Sequence, residues 1–189
     1  LNSPATSFED DKFTSDRERF REAYATLKQG KPERAKQLVS GLESYPLFIY
    51  FRYFELNRKL HQTRKTEIRD FLAAYDESLL ASRLRYDWLK LLSRTHQWQD
   101  FLIDYRPQSD VALKCAHLAA RIATGAKEGV LNDARVLWLT GKSQPPECDG
   151  PFSYLSASKL MNDLLRWERI RLAFSNNNIS LANYLARQL

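Results

Sequence analysis

Apolar residues recur along this chain at steps of three and four, the spacing that lines one face of an α-helix. Phe20, Tyr24 and Leu27 make the first stripe. Thr14 or Ser15 is placed to cap it, and Ser15 with Glu18 fits a capping box. Gly30 closes it, because glycine accepts the left-handed conformation that ends a helix. Ahead of this helix, residues 1–13 are polar, contain Pro4 and carry the acidic cluster Glu9, Asp10 and Asp11, and read as a mobile lead-in. After Pro32, the residues Ala35, Leu38, Val39 and Leu42 form the next stripe, with Gly41 inside the pattern and Pro46 at its end. The stretch 47–56 (Leu-Phe-Ile-Tyr-Phe-Arg-Tyr-Phe-Glu-Leu) is apolar on nearly every side. It lacks the alternation of a half-buried strand, so it predicts a helix with neighbours on several faces.

The pattern then repeats. Ile68, Phe71, Leu72 and Tyr75 line one helix, and Leu84, Trp88, Leu91 and Leu92 a longer one that ends near Thr95. Trp98, Phe101, Leu102 and Tyr105 precede a stop at Pro107. Val111, Cys115, Leu118 and Ile122 line the next helix, which Gly125 closes, and Leu131, Ala134 and Trp138 another, with Gly141 as its stop. Pro145 and Pro146 open a loop before a short helix around Phe152 and Leu155. Leu164, Trp167, Ile170 and Phe174 define the penultimate stripe. Leu181, Tyr184 and Leu185 begin the last, which reads as still helical at Leu189, as in a chain cut before the rest of its parent.

Helices joined by turns of a few Gly, Asn, His or Lys residues must lie antiparallel to their neighbours. The expected fold is therefore all-α: about eleven helices over residues 14–189, stacked as antiparallel pairs into a right-handed αα superhelix. The spacing is too irregular, and the signature too incomplete, for a true tetratricopeptide repeat. Few breakers, with 6 Gly and 7 Pro in 189 residues, agree with long helices rather than many-turned β architecture. No run of about 18 apolar residues is present to span a membrane. Leu1 in place of Met, with no leader pattern, reads as a processed product whose export signal is already removed.

Charge narrows the partners. A formal net charge of +6 favours polyanions, whether nucleic acid, acidic lipid or carboxylate-bearing cell-wall polymer. The basic residues are scattered through the helices without a recognition fold, which argues against nucleic acid. Candidate chemistry is sparse. His61, His96 and His117 fit no metal-ligand or triad spacing. No glycine-rich phosphate loop or nucleophile elbow occurs, and nothing implies a cofactor or metal. Cys115 and Cys148 leave three readings open: a reduced buried pair, a zinc site for which the spacing is wrong, or a disulfide across a 33-residue separation.

Three strings carry a family resemblance. The most specific is Leu137-Trp138-Leu139-Thr140-Gly141-Lys142-Ser143-Gln144-Pro145, followed by Cys148-Asp149. Tyr45-Pro46-Leu47 and Glu168-Arg169-Ile170-Arg171-Leu172-Ala173 support it in the same order. With these the chain resembles the N-terminal superhelical, U-type domain of the periplasmic soluble lytic murein transglycosylases. The resemblance implies a parent enzyme that cleaves the β-1,4 bond between N-acetylmuramic acid and N-acetylglucosamine and leaves a 1,6-anhydro end. Its catalytic glutamate lies in a separate C-terminal, lysozyme-like domain within a Glu-Ser dipeptide. Glu43-Ser44 and Glu77-Ser78 match that dipeptide without its surrounding residues, so no catalytic role passes to them. The resemblance also implies a Cys115–Cys148 disulfide, since family members have a matching pair and the periplasm is oxidising. The function implied is a domain, itself inactive, that holds or guides peptidoglycan strands for its own catalytic domain. The alternative is a tetratricopeptide-like protein–protein scaffold.

Overall fold

The structure, a computed structural model, describes the backbone of residues 5–189 and the side chains of residues 13–189. Among the described residues there are eleven α-helices and no strand. No helix among them is long and apolar enough to cross a membrane. The chain divides into two compact units, Leu1–Asp87 and Trp88–Leu189.

In the first unit α1 (Ala5–Lys28) packs on α2 (Pro32–Val39) and on α3 (Phe48–Arg58), which in turn meets α4 (Lys65–Ala74). Helix α1 begins at Ala5, well ahead of Thr14, so residues 5–13 of the expected lead-in are helical and Ser15 is not a cap. The reason is visible in the composition: between Pro4 and Gly30 there is no glycine or proline to interrupt a helix. Residues 1–4 lie outside the described residues.

Phe20, Leu27, Ala35, Val39, Leu42 and Phe51 close the first core, with Tyr24, Tyr45 and Phe54 packed against it. Aromatic rings fill it at ordinary contact spacing, Phe20 to Tyr45 at 5.2 Å and Tyr24 to Phe54 at 5.6 Å. Helix α2 stops at Val39, before Gly41, yet Leu42 still reaches this core from the turn. Helix α3 does have neighbours on two sides, but Leu47 and Tyr50 remain exposed. In α4 the expected stripe holds, with Ile68, Phe71 and Leu72 buried.

Helix α5 (Leu79–Arg94) runs across the boundary between the units. The second unit continues with α6 (Trp98–Asp104), α7 (Val111–Thr124), α8 (Val130–Trp138), α9 (Asp149–Ser156), α10 (Asp163–Ser175) and α11 (Ile179–Ala186). Its consecutive helices pair: α6 with α7, α7 with α8, α8 with α9, and α10 with α11. Asp110 caps α7 by accepting from the Leu113 amide, and Gly125 ends it at φ +85°, where a Cβ is unfavourable. Asn162 and Asn178 cap α10 and α11 in the same way. Trp138, Val130, Leu155, Leu165, Ile170 and Leu185 anchor the second core.

Three sequence expectations change here. Helix α11 ends at Ala186 rather than running through Leu189. Gly141 is not a left-handed stop; α8 already ends at Trp138. In α10 the buried face is Leu165, Arg169, Ile170 and Ala173, while Leu164, Trp167 and Phe174 are exposed. Apolar residues surround α10, so period alone did not select a face. Helix α10 packs on α11, and Leu165, Ile170 and Ala173 join the second core with Ala182 and Leu185 of α11.

Candidate functional site

The segment after α8 carries the most specific sequence string, and the fold brings that string onto α10. The backbone at Gly141 lies against the last turns of α10 so closely that a Cβ there would sit 2.1 Å from the Leu172 carbonyl oxygen. The Asn178 side chain donates to the Gly141 carbonyl and to Ser143 Oγ, each at 3.3 Å, while its own oxygen accepts from the Leu181 amide. One asparagine thus ties the segment to the start of α11.

Arg169 makes the second clamp. Its Nε donates to the Thr140 carbonyl at 3.3 Å, and its guanidinium carbon stands 4.5 Å from the Trp138 ring centre and 5.7 Å from that of Phe152. Only 5% of Arg169 is exposed. Burial pushes its pKa down from the ordinary value to about 10, which leaves it a cation at neutral pH. Beside it opens a cavity of about 440 Å³, lined by Trp138, Phe152, Arg169 and Tyr184 among others. Sequence reasoning missed this residue. The register Leu165–Arg169–Ala173, a step of four, was the available signal.

The cysteines meet at the other end of the segment. Cys115 in α7 and Cys148, in the short 3-10 turn Pro146–Cys148, form a disulfide with both residues fully buried. The covalent link therefore closes a loop that contains α8 and the whole Trp138–Pro145 string.

The remaining polar candidates are placed as follows. Glu43 is exposed in a turn and accepts from the Gly41 amide; Glu77 is exposed, and Ser78 caps α5 through the Ala81 amide. Neither glutamate lies in an apolar cleft of the kind that makes a carboxyl group a general acid. Among the described residues no group of three or more His, Cys, Asp or Glu is placed to hold a metal ion. In the first unit, a cavity of about 350 Å³ is edged by Lys36 and Glu55, which pair with each other at 3.1 Å. The hydrogen bond to Glu55, and then its charge, hold the Lys36 ammonium above its ordinary pKa. That cation is already neutralised locally.

His61 is exposed, and His96 packs its ring 5.1 Å from Trp98. His117 stacks on Tyr105 with ring centres 3.9 Å apart, in a cavity of about 310 Å³ that also holds Lys114, Arg121 and Asp133. Burial, then the Arg121 charge, lower the His117 pKa, with Asp133 opposing. As pH falls, the unfolded chain takes up this proton before the folded chain does, so stability is lost from the ordinary histidine pKa down towards the folded value. His117→Phe keeps the stack and removes that proton. Thermal melts at about pH 7.5 and 5.5 should show a smaller loss of stability on acidification in the variant than in the parent; an unchanged loss contradicts the assignment.

No family model matches the chain. Over 175 residues, however, it is 33% identical to the soluble lytic murein transglycosylase of Escherichia coli K12, and it matches the Salmonella typhimurium protein to the same degree. This chain is homologous to part of the soluble lytic murein transglycosylases. The match takes in 89% of the chain but only 27% of the relative, so the chain spans about a quarter of the transglycosylases' length. Solved transglycosylase structures agree. The 70-kDa enzyme of E. coli superposes with a TM-score of 0.82 at 29% identity, over 93% of this chain and 29% of that one. The same type of enzyme in complex with bulgecin A gives 0.84 over 94% of this chain and 29% of that one, also at 29% identity. An inactive mutant of the Pseudomonas aeruginosa transglycosylase gives 0.77 at 30% identity, over 90% and 28%.

Proposed function

We propose that this chain is the N-terminal superhelical domain, residues 14–189 with the helical extension before it, of a periplasmic soluble lytic murein transglycosylase. It holds or guides the peptidoglycan strand and leaves cleavage of the N-acetylmuramic acid–N-acetylglucosamine bond, with its 1,6-anhydro product, to a catalytic domain outside this sequence. The observation that carries the reading is the joint match in sequence and fold to a helical quarter of these enzymes. The disulfide suits an oxidising compartment. The net charge of +6 suits a polymer whose peptide stems carry carboxylates.

A protein–protein scaffold is the second reading, favoured by the exposed Leu164, Trp167 and Phe174 on α10. Product analysis separates an enzyme from a module. Purified murein incubated with this chain alone should release no anhydro-muropeptides, and mass spectrometry of the soluble fraction checks it. Their appearance overturns the non-catalytic assignment.

A further inference from the structure

Arg169 is a buried cation without a carboxylate partner among the described residues, and one whose forked end opens into a cavity. Its Nε is satisfied by Thr140, but neither terminal nitrogen has a hydrogen-bond partner among the described residues. No buried side-chain nitrogen or oxygen among them is unsatisfied, so those two nitrogens reach the cavity they line. Burying a guanidinium is costly unless something compensates it, and a loop carbonyl and an aromatic face compensate only part. A methionine would fill the same space beside Trp138 and Phe152 without that cost.

What the arrangement offers is a guanidinium with two unpartnered terminal nitrogens on a side chain that lines a cavity. The guanidinium carbon is held 4.5 Å from the Trp138 ring centre, and Gln144, Ser153 and Tyr184 line the same cavity. A fixed fork of this kind matches a carboxylate edge-on through two hydrogen bonds. Asp149, which is exposed, is the one acidic group in the lining, and it does not figure among the charges acting on Arg169.

We propose that this cavity is a binding site for the terminal carboxylate of a short peptide, received by Arg169 with its small side chains against Trp138 and Phe152. The site deepens the strand-holding reading, and rests on it for the source of the peptide, which is then a murein stem. The carboxylate chemistry itself stands on Arg169.

The probe is N-acetyl-dialanine with a free carboxylate, beside its C-terminal amide and inorganic phosphate, followed by the indole N–H resonance of Trp138. The free acid should bind and saturate in the millimolar range, at least about tenfold more tightly than the amide, the difference expected of a charge-assisted hydrogen-bonded pair. Arg169→Met should abolish the shift, and Arg169→Lys, which keeps the charge but not the fork, should weaken binding. If Arg169→Met does not fold, Ser153→Glu leaves Arg169 in place and supplies a competing carboxylate, and it should weaken binding several-fold. Equal binding of acid and amide, no movement of the Trp138 resonance, or unaltered binding in Ser153→Glu overturns the site. Phosphate binding as tightly as the free acid overturns the peptide assignment. Sedimentation with whole murein separates the two claims. Murein binding without dialanine binding removes this site alone; dialanine binding without murein binding removes the strand-holding reading and leaves a site for a free or protein-borne carboxylate.

Discussion

Cys115→Ala combined with Cys148→Ala is expected to lower the melting temperature by roughly 15 °C or more. The bond joins residues 33 apart. In the chain-entropy account, releasing a loop of that length from the unfolded state costs about 3.7 kcal/mol. The second unit spans Trp88–Leu189, and for a domain of that size each kcal/mol moves the midpoint by about 4–8 °C. The enclosed loop holds α8 and the Trp138–Pro145 string, so the variant should lose protection from hydrogen exchange there before it loses it in α4. Both cysteines are fully buried, so reductant reaches them only when the unit opens. The double variant is therefore a cleaner test than added thiol. A midpoint within about 4 °C of the parent, or two alkylatable thiols in the native protein, contradicts the account.

Gly141→Ala is the second large effect. The new methyl group would lie 2.1 Å from the Leu172 carbonyl oxygen and 2.6 Å from its carbon, and both are helix backbone that cannot swing aside. The segment must lift off α10. That stretches the Arg169–Thr140 bond and both Asn178 bonds, whose acceptors are Gly141 itself and Ser143. Overpacking of this kind costs about 3 kcal/mol or more, because the shift is shared by three hydrogen bonds. Gly150→Ala is the control. It lies in the first turn of α9 with nothing within 4 Å of the added carbon, so it should be neutral or stabilise by about 0.4–1 kcal/mol. Thermal melts of the two variants should move in opposite directions or differ by at least about 10 °C. Similar melts would show that the close approach at Gly141 carries no weight.

Much of this was legible in the chain before its structure. Helices α4 and α7 follow from their stripes, and the end of α7 follows from Gly125, because in each case one face is clearly apolar and one breaker clearly placed. Where apolar residues encircle a helix, as in α10, period carries little information. The buried face is then chosen by tertiary packing, here with α11. Buried polar residues were invisible for the same reason. Asp104 sits at the end of α6 and accepts from Trp88 Nε1 at 2.9 Å, and Arg169 donates its Nε to a loop carbonyl 29 positions away. A stripe of hydrophobic residues does not record such partners. Gly141 shows the limit most clearly. In sequence it looked like a helix stop, yet its lack of a side chain serves a tertiary contact with α10 that no local pattern encodes.

The resemblance strings gain a physical meaning from this. Trp138–Pro145 and Glu168–Ala173 are separate in sequence but form one contact, with Arg169 on Trp138 and Thr140 and the Leu172 carbonyl against Gly141. Together they build both the loop anchor and the cavity.

The most direct measurement is co-sedimentation of this chain with purified murein across a salt series. The account predicts that the chain pellets with murein at low ionic strength and is progressively released as salt rises, because exposed charges are screened beyond about 8 Å at physiological ionic strength. A chain that stays in solution at every salt concentration, or pellets equally at all of them, contradicts an electrostatically held murein strand.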